Sequence, residues 1–308
     1  MINVQTGPSQ LFHSVRDHVR QALKLRIPEL LPSGDEASEL VQQTARQLRE
    51  LLTIPDSHDI LFVPDAHHFI NETIRVAGDN HGLWLTHDHI FSDRDRHGAN
   101  NTNQLVAVRH TEETGTSLPQ DELVRLRDHV GNGLIAADVS LAWPYASLPF
   151  EVIDAAFLEF HYGFGLPAGL GAVVTNERWR KQDRSEVTAN RSIPASLNLT
   201  WVSVLGGVIG DMLSRGIITI RRETEYKSSL IYHLLDQHHF LHPAVGDKAL
   251  RSRTVIAARA ADLKRVQEEL RKHAISAGFT GDSVVFANFP SHSKEQYERL
   301  ADILSAIR

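Results

Sequence analysis

Ala155-Ala156-Phe157-Leu158-Glu159-Phe160-His161-Tyr162-Gly163-Phe164-Gly165-Leu166-Pro167-Ala168-Gly169-Leu170-Gly171-Ala172-Val173-Val174 is the stretch on which the fold turns. Two short apolar runs, Ala155–Phe160 and Ala172–Val174, read as strands. Between them Pro167-Ala168-Gly169-Leu170-Gly171 forms a turn whose two glycines admit tight backbone geometry.

Upstream, strands and helices alternate. Ile60-Leu61-Phe62-Val63 precedes a helix near 67–77, and Leu83–Thr86 reads as a strand. Leu105–Val108 precedes a helix near 119–130, and Leu134–Ala137 is the next strand. This alternation implies an α/β fold with a mainly parallel sheet covered by helices on both faces. Two amphipathic helices come first. Ser9 caps one through Leu11, Phe12, Val15, Val19 and Ala22-Leu23, and Asp35 or Ser38 starts another through Leu40, Val41, Leu48, Leu51 and Leu52. After Ser192-Ile193-Pro194 the texture changes to helices over 197–214 and 222–236, strand Thr254–Ala258, helix 261–274, strand Val284–Ala287 and a closing helix 292–306. The expected division is an N-terminal segment 1–35 packing with the small domain, a large α/β domain 36–195 and a small α+β domain 196–308.

Composition removes several classes of function. With 308 residues, 42% hydrophobic and 23% charged, the chain can bury a sizeable core and is not mostly disordered. It contains no apolar run near the roughly 18–20 residues that span a bilayer. The first residues carry neither a basic nor an apolar leader, so the expected compartment is the cytoplasm. Having no cysteine, it forms no disulfide and no thiolate metal site or nucleophile. A net charge of −6, with 32 basic residues scattered singly, argues against nucleic acid as a partner. The 18 histidines are the conspicuous feature, since histidine is the commonest metal ligand.

Six segments, in order, resemble the class V branch of fold-type I aminotransferases, and phosphoserine aminotransferase-like proteins most. They are Thr6-Gly7-Pro8, Val108–Thr114, Ala137-Asp138-Val139-Ser140, Phe164–Gly171, Arg251–Val255 and Ala287–Gln296. The resemblance implies a pyridoxal phosphate site in which a lysine forms the Schiff base and an aspartate meets the pyridinium nitrogen. Asp138 falls on the aspartate position, but Tyr162 stands at the lysine position and His161 at the glutamine before it. The chain's seven lysines, Lys24, Lys181, Lys227, Lys248, Lys264, Lys272 and Lys294, are expected at the surface. The phosphate turn reads Pro64-Asp65-Ala66-His67-His68, where the family has small residues at a helix N-terminus. Ser196 and Asn198 are what remains of a second-subunit cofactor segment, and Val285 replaces the arginine that clamps the substrate carboxylate. A homodimer is implied, and a stretch between Phe91 and Gln104 is shorter than in the family.

Histidine occurs in four segments that the resemblance brings to the cofactor: His67 and His68, His87 and His89, His110, and His161. Together with Asp138 they suit Fe or Zn. Read as residues i and i+2 of a strand, His87 and His89 point to one face, while adjacent His67 and His68 point apart. The expected metal set is His87, His89, His67, His110 and Asp138, with Tyr162, Asp138 and His161 as catalytic candidates. The sequence reading is a repurposed, metal-dependent enzyme acting on a small amino-acid-like molecule, with covalent pyridoxal phosphate not expected. One alternative is an inactive relative acting as a binding or scaffold partner. A second is an enzyme holding pyridoxal or pyridoxamine phosphate noncovalently.

Overall fold

The structure is a computed structural model describing residues 2–7, 9–76, 82–92, 105–182 and 193–307. Its first half contains β1 (Ile2–Val4), α1 (Val15–Lys24), α2 (Asp35–Leu52), β2 (Asp59–Val63), α3 (Ala66–Val76), β3 (Gly82–Leu85), α4 (His87–Ser92) and β4 (Leu105–Arg109). Next come α5 (Gln120–Val130), β5 (Leu134–Asp138), β6 (Ala155–Glu159), β7 (Gly171–Thr175) and α6 (Glu177–Gln182). Helices α7 (Leu199–Arg215) and α8 (Ile217–Gln237) meet at Gly216 with an 83° bend. Then follow β8 (Leu241–Pro243), β9 (Val255–Ala260), α9 (Leu263–Lys272), β10 (Ile275–Thr280), β11 (Ser283–Ala287) and α10 (Lys294–Ser305). Among the described residues no single helix is long and apolar enough to cross a membrane.

The larger sheet has the order β2-β7-β6-β5-β4-β3. Strands β3 to β6 pair in parallel, while β7 is antiparallel to both β6 and β2. The central strands are apolar up to their charged last residues, Arg109, Asp138 and Glu159, because both faces are covered, as the continuous runs foretell. One face, including Val106, Val108, Ile135, Ala137, Ala156 and Leu158, joins the core formed with α1, α2, α5 and α7. The other, including Ala107, Ala136, Ala155 and Phe157, packs with Ala66, Phe69 and Ile70 of α3 and with Trp179 of α6.

The smaller sheet runs β1-β10-β11-β9-β8, so the first strand of the chain pairs beside one of the last. Ile256, Ala258, Val284 and Phe286 pack under α8, α9 and α10. The opposite face, Val255, Ala257, Val285 and Ala287, forms a separate apolar cluster with Leu141 and Phe289, against which Tyr162 packs. This cluster joins the small sheet to the end of the large one.

Packing assigns α7 and the first turn of α8, through Ile220, to the larger core, while α8 from Ile231 onward packs in the smaller one. Three local expectations are corrected. Ser14, not Ser9, precedes α1. The second long helix of the tail starts at Ile217, five residues before 222. His87 and His89 belong to helix α4 and not to a strand.

Candidate functional site

Strand alternation assembles the site before any loop is considered. In β4, β5 and β6 the residues of the α3-facing set end at Arg109, Asp138 and Glu159, the last residues of three adjacent parallel strands. Register places Arg109 beside Asp138, and Asp138 beside Phe157, two residues before Glu159. The carboxyl ends of parallel strands are where open α/β sheets place ligands.

Helix α3 starts directly over this edge. Its close approach requires Gly171, since a Cβ there would come within 2.8 Å of the Ala66 Cβ and of the Leu158 carbonyl oxygen. Asp65 Oδ1 accepts from the His68 backbone N–H at 2.7 Å, an N-terminal cap for the helix. Glu159 Oε1 accepts from the backbone N–H groups of Ala66 and His67. A buried carboxylate therefore occupies the anion seat that a helix N-terminus offers.

His67 reaches down from α3 and donates from Nε2 to Asp138 Oδ2 at 2.9 Å, while His68 is exposed. That bond, aided by Glu159 and opposed by burial, raises the His67 pKa above 6.5. Burial is the largest influence on Asp138 and raises its pKa. Hydrogen bonds from His67 and from the Ser140 backbone at 3.0 Å outweigh it, so Asp138 titrates below the usual carboxylate value. Ser140 Oγ also accepts from the Glu159 backbone N–H at 3.0 Å, tying the two strand ends together. Arg109 Nε lies 3.8 Å from Asp138 Oδ2 with its side chain 55% exposed, so the cluster opens to solvent there.

Tyr162 and His161 flank the pair. Their rings lie 4.0 Å apart by centroid, and His161 Nδ1 is 3.7 Å from Glu159 Oε2. Ser9 Oγ donates to the carbonyl of His161 at 2.6 Å, which is the function of the residue expected to cap a helix. Gly7 passes against the phenol, where a Cβ would lie 3.2 Å from Tyr162 Cε1. Burial and the Asp138, Glu113 and Glu159 carboxylates push the Tyr162 pKa up, which keeps the phenol protonated and unsuited to act as a base at neutral pH.

Among the described residues the predicted metal set does not converge. His87 and His89 sit on a helix, where residues i and i+2 diverge, and the His89 side chain lies outside the described residues. His87 is buried and donates from Nε2 to the Arg109 carbonyl at 2.5 Å. His110 is buried, with Nδ1 3.2 Å from Thr111 Oγ1, and burial lowers its pKa to about 4. Among the described residues no group of three or more histidine, aspartate or glutamate side chains is placed to hold a metal ion. Of the expected set, among the described residues, the one side-chain bond is that between His67 and Asp138. Asn198 caps α7, its Oδ1 accepting from the Thr200 and Trp201 backbone N–H groups at 3.0 and 3.3 Å, and Ser196 is exposed.

The sequence reading missed two parts of the site and misjudged a lysine. Arg109 lies within a quoted motif, and Glu159 closes the deciding strand. Each is the charged last residue of an otherwise apolar strand, as Asp138 is, and that position is the signal that could have found them. Lys227 was expected at the surface but is 1% exposed, its Nζ donating to the carbonyls of Phe289 and His292 at 3.0 and 2.8 Å. Its amine is committed within the seam of the small sheet.

The residues do not fit the cofactor that the resemblance implies. The two α3 backbone donors expected to cradle its phosphate already serve Glu159, whose charge repels another anion. The aspartate expected to meet its ring nitrogen is bonded to His67.

No protein-family model and no curated protein matches the chain. Among solved structures, a phosphoserine aminotransferase from Cytophaga hutchinsonii is similar at 24% identity and a TM-score of 0.85, covering 98% of each chain. A pyridoxal phosphate-bound phosphoserine aminotransferase from Trichomonas vaginalis is 14% identical, with a TM-score of 0.74 over 98% of each chain. Ureidoglycine–glyoxylate aminotransferase from Bacillus subtilis is 15% identical, with a TM-score of 0.74 over 99% of this chain and 92% of the other. At these identities the likeness is one of architecture: the chain has the fold-type I aminotransferase fold.

Proposed function

We propose that this chain uses the aminotransferase fold without lysine-based pyridoxal phosphate chemistry and acts as a non-catalytic, binding relative of those enzymes. One observation carries the reading: the chain's own side chains make the contacts a cofactor would need, Glu159 at the α3 N-terminus and His67 on Asp138. A tyrosine at position 162 supports it, because a phenol forms no Schiff base with an aldehyde. So does Val285, which lies in the apolar cluster against which Tyr162 packs and makes no carboxylate clamp.

The test is incubation with pyridoxal phosphate, then gel filtration, absorption spectroscopy and borohydride reduction. The expected result is no retained cofactor and no reduced adduct. Stoichiometric retention, or a single reduced lysine, overturns the proposal.

A second reading, a repurposed enzyme for a small acid, is favoured by the opening of the His67–Asp138 pair beside the exposed guanidinium of Arg109. Its metal-dependent form needs iron or zinc. Elemental analysis giving less than about a tenth of a metal per chain retires that form, and near-stoichiometric metal lost in a His67→Ala variant upholds it.

A further inference from the structure

A cavity of about 240 Å3 lies at the seam between the two sheets. The seam is backbone-bonded: Thr116 bridges to Arg251, the Ser117 N–H donates to the Leu250 carbonyl, and the Ser252 N–H donates to the Gly115 carbonyl, both at 2.8 Å. The cavity is smaller than the roughly 300–1,000 Å3 of drug-sized sites and suits a small metabolite. Of the residues singled out in the sequence, His110 lines it, and none of His67, Asp138, Glu159, His161 or Tyr162 does.

The lining is chemically one-sided. Lys248, Arg251 and Arg253 contribute positive charge, Thr111, Ser117 and Thr254 contribute hydroxyls, and among the described residues no aspartate or glutamate lines it. The countercharges are two carboxylates outside the lining. Asp236 serves both Arg251 at 2.8 Å and Lys248 at 3.1 Å, while Glu225 lies 3.5 Å from Arg253 Nε. Three cations against two carboxylates leave the cavity positive.

The three cations play different parts. Arg251 is nearly buried, donating to the carbonyls of Val245 and Gly246 and to Asp236, with its guanidinium over the Tyr232 ring. It is a fixed wall. Arg253 is about one-third exposed and oriented by the same Glu225 that accepts from the Tyr145 hydroxyl. Lys248 stands at the mouth with its side chain 77% exposed. A pre-oriented guanidinium matches a two-oxygen acceptor, and an exposed ammonium adds charge without geometry.

We propose that this cavity binds a small oxyanion, a carboxylate or phosphate group, recognised by Arg253 and attracted by Lys248. The cavity shares no lining residue with the His67–Asp138–Glu159 cluster. Calorimetric titration with malonate and with inorganic phosphate tests it and distinguishes the two sources of the oxyanion. One of them should bind saturably, one per chain. Affinity should fall about tenfold or more in Arg253→Met and about threefold in Lys248→Met, and stay unchanged in Arg109→Ala. Lys248 is exposed enough that its replacement leaves folding intact, so the proposal does not depend on the arginine variant. Failure of both anions to bind, equal affinity in wild type and both cavity variants, or loss confined to Arg109→Ala overturns it.

Discussion

Two regions of this molecule bury an ionisable group, and they treat it in opposite ways. At the end of the large sheet Asp138, 6% exposed, keeps its charge because His67 and Ser140 bond to it and Arg109 extends the cluster to solvent. At the seam of the small sheet Lys227, 1% exposed, is solvated by two carbonyl oxygens, and burial lowers its pKa from 10.5 to about 7. The first arrangement answers charge with charge at an open mouth. The second answers charge with dipoles in a closed place. Depth of burial therefore does not distinguish a site from a strut: access to solvent and a counter-ion do.

The largest effect is expected where the comparison is most severe. Lys227→Met removes the donor for two carbonyls in the seam, each costing about 1–3 kcal/mol if left unsatisfied. We expect a loss of about 2–4 kcal/mol, read from urea unfolding, with the His67–Asp138 pair undisturbed. A loss under about 0.5 kcal/mol means that water replaces the ammonium and the seam is open.

A smaller change is expected from Glu159→Ala, which leaves the first donors of α3 without their carboxylate. Because water can reach this edge of the sheet, the expected cost is about 1–2 kcal/mol in the same unfolding measurement. If stability is unchanged, solvent satisfies α3 equally well and Glu159 does not act as the anion of that helix.

How much of this was legible in the sequence follows from which forces are local. Parity along β4 to β6 fixes one face, so the strand ends carrying Asp138 and the helix after β2 were readable from period and turn chemistry. The α4 helix was not. Leu83–Thr86 runs into His87-Asp88-His89 without a breaker, and the turn depends on the Glu112 carboxylate accepting from the His87 backbone N–H at 3.1 Å. That contact spans 25 residues. Lys227 was invisible for the same reason, since Phe289 and His292 lie more than sixty residues away in sequence. The three-residue β1 depends on a partner strand near the other end of the chain.

The smallest expected effect separates the two regions by sign. Lys227 faces Glu223, Arg215 and Lys294, and its native pKa of about 7 lies below the 10.5 of an unfolded lysine. Between those values the unfolded chain holds the extra proton, so this group makes the protein more stable as pH rises. His67 faces Asp138, Glu159 and Arg109, and its native pKa lies above 6.5. Its contribution is complete below 6.5 and is lost as pH rises through the native value. Urea unfolding from pH 6 to pH 9 should therefore give a steeper rise in His67→Gln than in wild type, and a flatter or falling profile in Lys227→Met. His67 is partly exposed, which makes its part the weaker of the two. If both variants shift the slope in the same direction, the two buried groups are handled alike and the distinction between mouth and seam fails.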